Sequence, residues 1–156
     1  MGILNITPDS FSDGGRFTSE AAILTQAEKM IAAGADLLDI GGESTRPGAQ
    51  PVLLADEIER VVNAVRLIRR SHSIPISIDT TKNEVARLAL DEGANLINDI
   101  SGLRFDPAMA PLLREREVPV VIMHMQGTPG NMQQNPTYDD VIGEISAFLA
   151  ERIAWA

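Results

Sequence analysis

Cysteine is absent from the 156 residues, which excludes a disulfide framework, thiolate catalysis and thiolate metal sites. The composition suits a reducing cytoplasm, and that is the compartment expected. Histidine is scarce: His72 and His124 stand far apart, and two isolated histidines do not make a metal site. No apolar run approaches the roughly 18 residues of a membrane span. The opening MGILNIT has neither a basic region nor a long apolar stretch, so it does not read as a signal peptide. Basic residues are outnumbered, 13 Lys and Arg against 22 Asp and Glu, for a net charge of −9. That excludes a broad nucleic-acid-binding face. A small anionic substrate stays compatible, because a few local cations can hold one inside an acidic protein. The nucleotide motifs GxxxxGK[ST] and GxGxxG do not occur, and no Ser/His/Asp arrangement is readable. No low-complexity segment or linker-like shift in composition divides the chain, so residues 1–156 read as one domain.

What is present is an alternation of short apolar runs and helical patterns. The runs are Ile3–Ile6, Asp36–Ile40, Pro75–Ile78, Asn95–Ile100 and Val118–Met123. They are near-continuously apolar, as parallel strands covered on both faces are. Between them, Asp56–Arg69 places Ile58, Val61, Val62, Val65 and Ile68 at helical spacing. Thr81 and Glu84 suggest a capping box. Asp106-Pro107 suggests an N-cap followed by proline, with Pro111 able to shift or kink that helix. Val141, Ile142, Ile145, Phe148, Leu149 and Ile153 form a last apolar stripe. Gly34 and Gly93 fall where a helix C′ residue belongs. The order is five βα units, hence an α/β fold with a parallel sheet. An open doubly wound sheet and a (β/α)8 barrel both fit.

The strands end in polar residues. Asn5, Asp39, Asp79, Asn98 and His124 should converge, because ligands bind at the carboxyl ends of parallel strands. Singly, each reads as well as a cap or a turn former. Two of the loops, TPDSFSDGGRFTS and GGESTRPGAQPVL, exceed the roughly 2–6 residues a βα connection needs. Loops of this kind often carry binding residues. Phe11 and Phe17 in the first suit either core packing or a cover. Arg46 reads either as a solvated arginine paired with Glu43 or as a bidentate clamp on phosphate or carboxylate. Ser44 and Thr45 add hydroxyl donors, and the glycines permit close backbone approach. Asp79 and Asn98 side by side suit a flat heterocycle with N–H and carbonyl edges, with Met123 as an apolar wall. The alternative is a hydrogen-bond network that braces the sheet. His72, in RRSHS, reads as a helix end.

The segments LNITPDSFSDGG, IGGESTRPGA, SIDTTK, LINDISG and VIMHMQGTP, in this order, resemble dihydropteroate synthase, and the match covers essentially the whole chain. The resemblance implies a (β/α)8 TIM-type barrel of folate biosynthesis. Such an enzyme joins p-aminobenzoate to 6-hydroxymethyl-7,8-dihydropterin diphosphate, giving 7,8-dihydropteroate and pyrophosphate, and is a sulfonamide target. Carried over by motif, Asn5 would hold Mg²⁺ with the diphosphate. Thr45 and Arg46 would contact the diphosphate or the p-aminobenzoate side. Asp79 and Asn98 would hydrogen-bond the pterin, and Met123 would line its pocket. Asn5, Thr45, Arg46 and Asp79 are the residues implied for catalysis. Pyrophosphate would leave first, and the arylamine would then attack a pterin cation.

The chain also departs from that pattern. A (β/α)8 barrel typically needs about 250 residues, and five units are encoded here. There is no Asp-Pro-Gly segment after the fifth run, no Ser-Arg-Lys and no final Arg-x-His. The expectation is an incomplete barrel, inactive or a poor catalyst alone, with a homodimer or the missing barrel half as its protein partner. Two rival readings are a methyltetrahydrofolate corrinoid methyltransferase, which has no diphosphate to hold, and a non-catalytic pterin-binding module.

Overall fold

The computed structural model describes residues 1–6, 20–44 and 51–156. The elements alternate as β1 (Gly2–Asn5), α1 (Glu20–Ala32), β2 (Leu38–Gly41), α2 (Leu54–Arg69), β3 (Ile76–Asp79), α3 (Asn83–Asp91), β4 (Leu96–Asp99), α4 (Met109–Arg116), β5 (Val120–Ile122) and α5 (Val141–Trp155). All pairings are parallel, and the strand order is β1-β2-β3-β4-β5. A doubly wound sheet reverses its order at a switch point. This one never does, so the helices lie on one face, as in a sector of a (β/α)8 barrel.

The register assigns each face its chemistry. Leu4, Ile40, Ile78, Ile97 and Val120 form one row across five strands. The first four are fully buried, Val120 packs against them, and all belong to the core beneath the helices. Val61, Val65 and Ile68 of α2 and Val85, Ala86 and Ala89 of α3 close that core from above. The neighbouring row, Asn5, Gly41, Asp79, Asn98 and Val121, points to the opposite face. A row below it on that face runs Ile3, Asp39, Ser77 and Leu96.

Several local expectations change in the structure. Gly34 and Gly93 do adopt positive φ, 90° and 101°. Each ends its helix with paired 5→2 and 6→1 backbone bonds, Gly34 N to Ile31 O with Ala35 N to Met30 O, and Gly93 N to Leu90 O with Ala94 N to Ala89 O. Glu117 closes α4 the same way at φ 53°, without glycine's freedom. The Thr81–Glu84 capping box does not form. Lys82 occupies the N-cap of α3 with no side-chain cap bond, and Glu84 pairs with Arg87 instead. The free Asn83 amide is satisfied from another element, by Asp106 Oδ2 at 2.8 Å. Asp106 also accepts from Ala108 through Oδ1, so one carboxylate serves the starts of two helices. Pro111 sits in the first turn of α4, where its missing N–H costs nothing. The apolar stripe of α5 buries no residue fully: Ile145, Phe148 and Leu149 are half-buried, and Val141, Ile142, Ile153 and Trp155 are exposed. Among the described residues, no helix is long and apolar enough to cross a membrane.

Candidate active site

The row Asn5–Gly41–Asp79–Asn98 brings three of the expected site residues together at the carboxyl end of the sheet. Gly41 stands between Asn5 and Asp79. A Cβ there would lie 3.5 Å from Asn5 Oδ1 and 3.5 Å from Asp79 Oδ2, so its absence opens the space both side chains face. Asp39 lies in the row beneath and accepts from Asn98 Nδ2 at 3.2 Å. Met123 follows the end of β5 and is half-buried. His124 does not join the row. Its ring packs edge-on against Phe148 of α5, 4.9 Å between centroids, and tilts against Tyr138 at 5.8 Å. Asp99 alternates onto the helix face, where its Oδ1 accepts from Ser101 N. Thr45 and Arg46, with Phe11 and Phe17, lie outside the described residues.

Asp79 is the most perturbed group of the site. Burial raises its carboxyl from an ordinary 3.8 to about 7, and the charges of Asp39, Glu57, Asp99 and Glu43 push the same way. One oxygen, Oδ1, is buried without a hydrogen-bond partner among the described residues. A half-protonated, under-satisfied carboxylate is costly unless something supplies donors.

A cavity of about 340 Å³ opens beside it, lined by Ser44, Asp79, Thr81, Lys82, Phe105 and Thr128 among others. Lys82 is the residue that sequence reasoning missed, although it stands within SIDTTK, three residues after Asp79. Its ammonium donates to Glu43 Oε2 at 2.6 Å, to Glu57 Oε2 at 2.5 Å and to Val52 O at 3.0 Å. Burial disfavours its charge, yet the bonds to Glu43 and Glu57 outweigh that and raise its pKa. Glu57 is buried in α2 and also accepts from Thr80 Oγ1 at 2.6 Å. Glu43 is held by Lys82 and by Val52 N. The glycine before it serves packing. A Cβ on Gly42 would lie 2.8 Å from Val61 Cγ2, so this position lets the chain seat on α2. Gly42 O is fixed there by Arg60 Nη1 at 3.0 Å.

A family model described as pterin binding enzyme matches residues 1–156. The chain belongs to the pterin-binding enzyme family. Its similarity within that family is to dihydropteroate synthases. It is 48% identical over 153 residues to dihydropteroate synthase of Synechocystis sp., covering 98% of this chain and 53% of that protein. The Escherichia coli dihydropteroate synthase is 47% identical over 154 residues, 99% of this chain and 54% of that protein. Among solved structures, the Yersinia pestis dihydropteroate synthase in complex with a sulfonamide drug superposes with a TM-score of 0.90 at 44% identity. It covers 98% of this chain and 55% of that one. This member of the pterin-binding enzyme family thus spans about half the length of the relatives it matches, and over that half it superposes closely on the Yersinia pestis structure.

Proposed function

We propose that this chain carries the pterin side of a dihydropteroate synthase site. The proposed reaction joins p-aminobenzoate to 6-hydroxymethyl-7,8-dihydropterin diphosphate and releases pyrophosphate. The observation that carries this reading is the adjacent pair Asp79 and Asn98 on β3 and β4, with Asp79 Oδ1 buried and unpartnered among the described residues. A pterin edge offers ring and amino N–H donors to such a carboxylate, and a carboxamide beside it both gives and accepts. The names of the relatives support the same chemistry. A Xanthomonas albilineans dihydropteroate synthase, 42% identical, was solved in complex with 7,8-dihydropteroate.

Each residue has a task in that reaction. Asp79 and Asn98 bind the pterin and fix its plane, and Met123 supplies apolar contact at the pocket wall. Thr45 and Arg46 hold the anionic groups, a guanidinium fork being suited to diphosphate or carboxylate. Asn5 suits Mg²⁺. Its carboxamide oxygen faces the gap left by Gly41, and oxygen is the donor a hard cation takes. Among the described residues no group of three His, Cys, Asp or Glu could hold a metal by itself. The ion would then be completed by substrate phosphate and water, which is how Mg²⁺ commonly binds. When bound, it supplies positive charge against the diphosphate as that group departs. None of these roles calls for a covalent enzyme nucleophile.

Calorimetric titration of the chain with 6-hydroxymethyl-7,8-dihydropterin diphosphate, with and without Mg²⁺, tests the reading. Binding should be measurable, strengthened by Mg²⁺ and weakened at least tenfold by Asp79→Ala, the scale of a lost charged hydrogen bond. A folded chain that binds no pterin would refute it.

A further inference from the structure

Asn98 is held from below by a group that has no evident reason to be ionisable. Asp39 lies on β2, one side-chain layer beneath the Asn5–Asp79–Asn98 row, and is 4% exposed. Its Oδ2 accepts from Asn98 Nδ2 at 3.2 Å, while its Oδ1 is buried with no hydrogen-bond partner among the described residues. Among the described residues it forms no ion pair. A buried carboxylate in that state costs stability. A neutral side chain of the same shape would brace β2 against β4 at least as well, so packing alone does not account for the charge.

The carboxylate does one thing an amide cannot. It only accepts hydrogen bonds, so Asn98 must turn its nitrogen toward it and its oxygen away. We propose that Asp39 is a positioning residue for the pterin site: it locks the orientation of the Asn98 carboxamide. Locked this way, Oδ1 and the second N–H of Nδ2 are presented at fixed places beside the Asp79 carboxylate. The inference rests on the reading that Asp79 and Asn98 hold a pterin. A reversed carboxamide would set donor against donor along the ligand edge, and an unlocked one must lose that freedom on binding.

Asp39→Asn is nearly isosteric and removes the lock, because an amide presents either an acceptor or a donor to Asn98. The probe is pteroic acid, titrated by calorimetry into wild type, Asp39→Asn, Asn98→Ala and the double variant, with thermal midpoints measured alongside. Asp39→Asn should bind about tenfold more weakly, the scale of one misplaced hydrogen bond, with a midpoint equal to or above wild type. In the Asn98→Ala background the same change should alter affinity by less than about twofold, because Asp39 acts through Asn98. The proposal is overturned if Asp39→Asn binds like wild type, or if its loss persists in full without Asn98. It is equally overturned if Asp39→Asn unfolds or melts several degrees lower, which would make Asp39 a structural brace. Failure of the folded wild type to bind pteroic acid is a separate outcome: it removes the pterin reading itself, and this inference with it.

Discussion

Asp79 concentrates the chemistry of the site in one side chain, and its environment dictates how stability responds to pH. Its carboxyl titrates near 7 in the folded chain against 3.8 ordinarily, because of burial first and four neighbouring carboxylates second. Between those two values the folded state keeps a proton that the unfolded state has released. Linkage then makes stability fall as pH rises across that window and level off above it. The shift corresponds to on the order of 2–4 kcal/mol, taken at the low end because Asp79 is only partly buried. Asp79→Asn removes the titration. Its melting point should gain on wild type from pH 4 up to about pH 7 and then level off, and a difference that stays constant across this range would contradict the assignment. The same carboxylate should bind pterin better as it ionises, so the stabilising substitution is expected to be the one that loses the ligand.

At the scale of elements, the site is assembled by a clasp rather than by any one loop. Lys82 joins Glu43 after β2, Val52 ahead of α2 and Glu57 within α2, while Thr80 adds a second bond to Glu57. Removing the ammonium leaves Glu57 buried without its cation. Lys82→Met should therefore cost about 3–5 kcal/mol in urea unfolding. Glu57→Gln in the same background should restore part of that, since the unpaired charge goes with it. A loss below about 1 kcal/mol would mean the pair is solvated and weak. This clasp also shows where sequence stops being informative. The five strands were legible because each is a short apolar run, and Asp79 and Asn98 because each ends one. Partnerships across elements were not. Thr81 and Glu84 have the spacing of a capping box, yet Lys82 is drawn into the clasp and the cap comes from Asp106, 23 residues away. His124 has the position of a site residue, yet β5 ends two residues before it and its ring packs against Tyr138 and Phe148. Lys82 itself drew no reading from the sequence, because nothing local announces a glutamate 25 residues earlier.

For the whole molecule, the decisive property is how well the ligand face is shielded from water. Asp79 and Asn98, proposed to hold the pterin, sit on the inner strands β3 and β4, while the edge strands are exposed: Ile3 on β1 is 56% exposed and Val121 on β5 is 51% exposed. Val141, Ile142, Ile153 and Trp155 of α5 are likewise exposed. In the proposed reaction pyrophosphate departs before the arylamine attacks, so a pterin methylene cation exists in between. A closed site reserves that cation for the amine, whereas an open one admits water. Water capture would form 6-hydroxymethyl-7,8-dihydropterin, with one pyrophosphate and one proton released and no p-aminobenzoate consumed. We expect this chain to form dihydropteroate at least about 100-fold more slowly than the Escherichia coli relative assayed beside it. We also expect it to release more pyrophosphate than dihydropteroate. Quantifying both products from the same reaction decides the matter. Matched yields at a rate like that of the relative would show that these five βα units shield the cation unaided. Pyrophosphate in excess, falling when p-aminobenzoate is raised, would show competition between water and amine for one intermediate at an exposed face.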